Sequence, residues 1–107
     1  MPLDLTNANV IVIVFVMDGC PACENYLPRF KRIAKPYSKA GIQIAVFDAN
    51  SKDDRVQDFA DRINVRATPT TAVLPRGQGL VKVEGAVDDA TIKQLLDLAY
   101  ARQQTAR

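Results

Sequence analysis

Apolar residues fall along this chain in two rhythms. Val10 to Val16 is an unbroken β-branched and aromatic run, the pattern of a strand buried on both faces of a parallel sheet. From Pro21 the rhythm turns helical: Ala22, Tyr26, Phe30 and Ile33 recur at spacings of four, four and three, with Leu27 and Ala34 beside them. Pro21 suits the first turn, where a missing N–H costs nothing. Pro28 lies inside the segment and predicts a kink, and Pro36 predicts the helix end. A second strand is expected from Ile42 to Phe47, entered through Gly41 and left through a turn at Asp48, Asn50 and Ser51. Asp53 to Ile63 reads as a second helix, with Val56, Phe59, Ala60 and Ile63 on one stripe.

The segment from Val65 to Thr70 leads into a third strand, Thr70 to Leu74, and Leu80 to Glu84 is the fourth. Pro75, Gly77 and Gly79 mark a tight turn between them, so the two should form a hairpin. After a loop at Gly85-Ala86-Val87, Asp88 or Asp89 caps a last helix running to about Arg102, with Ile92, Leu95, Leu96 and Ala99 facing inward. Asp4, Thr6 and Asn7 favour a loop before the first strand, and the tail from Gln103 to Arg107 should fray. A right-handed crossover makes the first two strands parallel. The expected fold is therefore α/β: a four-stranded mixed sheet, order 2-1-3-4, with three helices on both faces. Its 107 residues suit one domain, 1–107.

Composition narrows the function classes. A net charge of +2 is too small to argue for nucleic acid, and basic residues are not interleaved with aromatics to stack bases. There is no histidine, which removes imidazole metal sites and every Cys-His or Ser-His pair. Val10 to Met17 is far short of a membrane span. The first basic residue is Arg29, so the positive n-region of a secretory signal is missing. A cytoplasmic monomer with no nucleic-acid or membrane partner is the expectation. Arg29, Lys31, Arg32 and Lys35 read as a solvated face complementing the helix dipole. Asp53, Asp54, Asp58 and Asp61 read the same way, since their spacing makes no calcium loop.

Both cysteines lie in Met17-Asp18-Gly19-Cys20-Pro21-Ala22-Cys23, between the first strand and the first helix. At a helix N-terminus, free N–H groups and the positive dipole end favour a thiolate. Cys20 should be the more exposed and more acidic thiol, and Cys23, one turn inside, the more buried. That asymmetry suits thiol–disulfide exchange: Cys20 attacks a disulfide, and Cys23 then attacks Cys20 to release the product. A structural zinc site needs four ligands and would require a dimer here. An inert pair is the plainer alternative.

With these residues in place, the chain resembles the thioredoxin superfamily from about Val10 to Arg102. Pro28, five residues after Cys23, falls where that family has a helix-kinking proline. Phe47-Asp48 resembles the end of the following strand, and Ile63 to Thr70 resembles the segment carrying a cis-proline. Gly85-Ala86 resembles the glycine loop before the last helix. The resemblance implies a thioredoxin-like fold and a cis Pro69 beside the two sulfurs. It also implies a substrate groove formed by Gly19, Cys20, Pro21, Thr68, Pro69, Gly85 and Ala86. In the family the Thr68 position pairs its backbone with an extended substrate. The implied activity is protein-disulfide exchange through Cys20 and Cys23. A thioredoxin reductase or glutathione would donate electrons, and no cofactor is needed beyond the Cys20–Cys23 disulfide.

Several positions depart from the family pattern. Gly19 stands where thioredoxins usually carry Trp, and Pro21-Ala22 replaces Gly-Pro. Val14 occupies the place of the buried aspartate that assists the second thiol, and Ile44 falls near the place of its lysine partner. A proton leaving Cys23 must then use water, or Asp18 if it reaches; a nearby Asp18 would also oppose a thiolate at Cys20. The short N-terminus leaves a core nearer glutaredoxin size, and Gly85 to Asp89 faintly resembles the glutaredoxin loop that holds glutathione. Two alternatives therefore stand beside the thioredoxin-type reading. One is a glutathione-dependent reductase relying on Asp88 or Asp89. The other is a non-enzymatic interaction module on the same scaffold.

Overall fold

The computed structural model describes residues 10–75 and 79–105. Its elements run β1 (Val10–Val16), α1 (Pro21–Lys39), β2 (Gln43–Asp48), α2 (Asp54–Ile63), β3 (Thr70–Pro75), β4 (Val81–Glu84) and α3 (Asp89–Thr105). The sheet order is β2-β1-β3-β4. β1 and β2 are parallel, while β3 lies antiparallel to both β1 and β4. This is the four-stranded mixed sheet with three helices expected from the hydrophobic pattern.

The unbroken apolar run of β1 is explained by its position in the sheet's interior, because alternate side chains enter two separate cores. Val10, Val12 and Val14 join Tyr26, Phe30 and Ala34 of α1 and Ile92, Leu96 and Ala99 of α3. Ile11, Ile13 and Phe15 face the other way, toward Ile63 and Phe59 of α2. On that second face Phe47 sits between Phe15 and Phe59, with ring centroids 5.7 and 5.9 Å away. The helices thus cover both faces, α1 and α3 together and α2 alone.

α2, β3 and β4 each differ from expectation by one residue at one end, and three other differences have a visible cause. α1 continues past Pro36 to Lys39. A proline there forfeits one hydrogen bond, to the carbonyl of Arg32; both residues are exposed, so water can replace it. The Pro36 carbonyl itself accepts from the Ala40 N–H at 3.0 Å, closing the last turn. α3 runs on to Thr105 rather than ending near Arg102. Gln103, expected to fray, donates from Nε2 to the Gly41 carbonyl at 3.3 Å and ties the helix end to the α1–β2 turn. β2 sits one residue later than expected, because Ile42 serves the turn by donating to the Tyr37 carbonyl at 3.0 Å. The loop read at Asp4, Thr6 and Asn7 and the turn residue Gly77 lie outside the described residues, as do the final two residues of the tail.

Candidate active site

The sheet register brings three chain segments to one edge. Phe15, near the end of β1, pairs with Thr70 at the start of β3, and Thr70 in turn pairs with Glu84 at the end of β4. The loop leaving β1, the segment entering β3 and the loop leaving β4 must therefore meet. Those segments carry Gly19-Cys20, Thr68-Pro69 and Gly85-Ala86.

Cys20 is the N-cap of α1, with φ −107° and ψ 100°. Its sulfur accepts the Cys23 N–H at 3.1 Å, using one of the donors a helix start leaves unpaired. The Cys20 carbonyl accepts from the Glu24 N–H at 3.1 Å. Cys20 and Cys23 form a disulfide with their Cα atoms 5.2 Å apart. Cys23 is 4% exposed, whereas Cys20 is half-buried, so Cys20 is the more accessible residue of the pair.

Thr68 approaches from the segment entering β3. Its carbonyl oxygen and its hydroxyl each lie 3.6 Å from the Cys20 sulfur. The two contacts suit different states of the sulfur. A thiol can donate to the carbonyl, whereas a thiolate can accept from the hydroxyl and from the Cys23 N–H. The Thr68–Pro69 peptide bond is cis, and Pro69 is buried. The Pro69 carbonyl accepts the Gly85 N–H at 2.7 Å, which brings the loop after β4 against this segment.

Gly19 (φ +73°) and Gly85 (φ +92°) both take backbone angles that favour glycine. A Cβ built on either would meet nothing within 4 Å, so there is open space at both glycines. Pro21 and Ala86 are exposed at the rims. Cys20, Cys23, Thr68, Pro69 and Gly85 are thus joined by direct contacts, while Gly19, Pro21 and Ala86 adjoin them along the chain.

The positions of the family's buried aspartate and its lysine partner are apolar here. Val14 is fully buried and Ile44 packs against the same core. A cleft of about 510 Å³ instead opens beside Cys23, with Asp18, Glu24, Asp48 and Lys31 on its walls. Cys23 thus borders an open cleft with charged residues on its walls.

Asp88 and Asp89 are both committed to structure. Asp88 caps α3, accepting the Thr91 N–H at 2.8 Å, and its bonding to Thr91 holds its carboxyl below the ordinary 3.8. Asp89 pairs with Arg29 at 2.8 Å and Arg32 at 3.6 Å. Arg29 corrects the reading of the basic residues of α1 as a purely solvated face. Its side chain is only 23% exposed, and it donates to the Val87 carbonyl at 3.0 Å. No local pattern could reveal this, because the partners lie about sixty residues downstream. Among the described residues, no group of three or more His, Cys, Asp or Glu side chains is placed to hold a metal ion.

Comparison with known proteins bears on this geometry. The family model described as Thioredoxin matches residues 4–98. The thiol-disulfide oxidoreductase ResA of Halalkalibacterium halodurans is 24% identical over 98 residues, covering 74% of this chain and 56% of the relative; this chain thus spans little more than half of that protein. A thioredoxin of Coprinus comatus is 30% identical over 83 residues, covering 77% of this chain and 74% of the relative. Among solved structures, the thioredoxin of Malassezia sympodialis superposes with a TM-score of 0.69 at 24% identity, over 85% of this chain and 75% of that one.

Proposed function

The chain belongs to the thioredoxin family, and from that premise we propose that it is a thiol–disulfide oxidoreductase of thioredoxin type, exchanging protein disulfides through Cys20 and Cys23. The observation that carries this reading is the setting of the Cys20 sulfur. It sits at a helix N-cap, 3.1 Å from the Cys23 N–H and 3.6 Å from the Thr68 carbonyl. Helix-end donors stabilise a thiolate there, and the neighbouring backbone can hold an extended substrate.

In the reduced protein the Cys20 thiolate attacks one sulfur of a substrate disulfide. A mixed disulfide forms, and the other substrate sulfur leaves as a thiolate that takes up a proton. Cys23 then gives its proton to water in the adjoining cleft and attacks the Cys20 sulfur. The Cys20–Cys23 bond forms, the second substrate sulfur leaves, and two electrons have passed to the substrate. A disulfide reductase or glutathione must restore the dithiol, which fits a reducing cytoplasm as the working compartment. The proposed groove is lined by Gly19, Pro21, Thr68, Pro69, Gly85 and Ala86, and the open space at both glycines favours wide or variable side chains on the substrate. No cofactor beyond the two sulfurs is required.

The glutathione-dependent alternative has less support, since Asp88 is engaged in capping and Asp89 in ion pairing. Substitution separates the readings. Cys20→Ser should abolish reduction of a protein disulfide, and Cys23→Ser should accumulate a mixed disulfide visible by mass spectrometry. A wild type that reduces no disulfide, with a Cys23→Ser variant that traps nothing, would refute the assignment and leave the interaction module.

A further inference from the structure

We propose that Arg29 is a positioning residue for extended substrates: its guanidinium clamps the loop 85–87 to α1 and so sets the groove wall facing Cys20. The inference rests on the exchange reaction proposed above.

The loop packs one side chain, that of Val87, against the α1–α3 core, and its polar ties to other elements are two. Gly85 has no side chain and Ala86 is exposed. One anchor is the bond from the Gly85 N–H to the Pro69 carbonyl, 2.7 Å. The other is Arg29, whose Nη1 donates both to the Val87 carbonyl at 3.0 Å and to Asp89 Oδ1 at 2.8 Å. Nε and Nη2 are taken by Asn25 Oδ1 at 3.3 and 3.0 Å, one turn earlier on the same helix. The guanidinium also lies 5.7 Å from the Tyr26 ring centroid. Four hydrogen bonds and a ring thus fix the orientation of a planar group, which lysine with its single nitrogen cannot reproduce.

The consequence is geometric. Arg29 stands on the helix whose first turn carries the reactive sulfur. Through it the loop is tied to the same rigid element as Cys20, while the Gly85 bond ties it to the Thr68-Pro69 segment. Both walls of the groove are then referenced to one sulfur. A substrate that lies along the backbone needs that reference, whereas a small disulfide that touches only Cys20 does not.

The test uses the full chain with Arg29→Met, Arg29→Lys and Asp89→Asn. Each pre-reduced protein is reacted with a disulfide-bonded extended peptide and with a small aromatic disulfide, and amide exchange is followed at Gly85 and Val87. For Arg29→Met we expect about tenfold faster exchange at both amides and about a tenfold higher half-saturating peptide concentration, the worth of one lost charged hydrogen bond. The limiting rate, and the rate with the small disulfide, should stay within about twofold, the range of a change that leaves the sulfur's surroundings intact. Arg29→Lys should recover part of the loss, and Asp89→Asn should stay near wild type, because the Val87 contact remains. Unchanged exchange in Arg29→Met, an equal loss with both substrates, or an Asp89→Asn variant as impaired as Arg29→Met would each overturn the clamp. A wild type inactive toward both disulfides would instead overturn the oxidoreductase assignment, and the exchange measurement would still decide whether Arg29 holds the loop.

Discussion

Tyr26 shows what a single side chain does in this fold. It is 0% exposed, and its hydroxyl meets Thr71 Oγ1 at 2.6 Å, a polar pair closed off between α1 and β3. Burial, the dominant effect, raises the phenol's pKa above its ordinary 10.0, partly countered by the bond to Thr71 and the charge of Arg29. Tyr26→Phe keeps the ring beneath Arg29 but leaves the Thr71 hydroxyl without that partner. It should lower unfolding free energy by about 1–2 kcal/mol, the cost of an orphaned buried hydroxyl, when measured by chemical denaturation. Disulfide exchange should be unaffected, since Tyr26 touches neither sulfur nor loop. Tyr26 was legible as a core position from its helical spacing. Its bond to Thr71 was not, because that partner lies on a strand 45 residues away.

The start of α3 gives an element-level prediction with a sign. The Asp88 carboxyl is held below 3.8 chiefly by its bonding to Thr91. A depressed folded-state pKa means the charged cap stabilises the fold at pH values above the unfolded value. That contribution is lost as pH falls through the lower folded value. Asp88→Asn keeps a capping oxygen without a titrating charge. The difference in Tm between wild type and Asp88→Asn should therefore favour wild type more at neutral pH than well below pH 3.8, as calorimetry at both conditions would read. A difference independent of pH would show that Asp88 acts only as a neutral acceptor. The cap itself was readable from Asp-Asp before an apolar stripe. The true ends of α1 and α3 were not, because they depend on contacts from outside each helix. Pro36 is tolerated since its lost bond faces water, and Gln103 is held by the Gly41 carbonyl.

The molecule as a whole hangs on β1, whose alternate residues fill two cores while its end delivers Cys20 to the sheet edge. That strand was plain in the sequence, and the sheet order followed from chain connectivity. The meeting of Cys20, Thr68 and Gly85 rested on resemblance, since nothing local says which loops converge. Val14 tests how far this architecture tolerates a charge at its centre. It is fully buried in the α1–α3 core. Val14→Asp should cost about 3 kcal/mol or more, because a buried carboxylate there has only the Thr71 hydroxyl on the paired strand and no opposite charge in that core. Ile44 lies on the neighbouring strand, opposite Val12 and therefore on the same face as Val14. A lysine at that position is one diagonal step away and can meet the new carboxylate. Val14→Asp with Ile44→Lys should therefore be more stable than Val14→Asp alone, yet less stable than wild type, since a buried pair does not fully offset its own desolvation. Denaturant midpoints of the three proteins read this directly. A double variant no more stable than Val14→Asp alone would mean that the two side chains do not meet, and that the core around Val14 is closed to any charge.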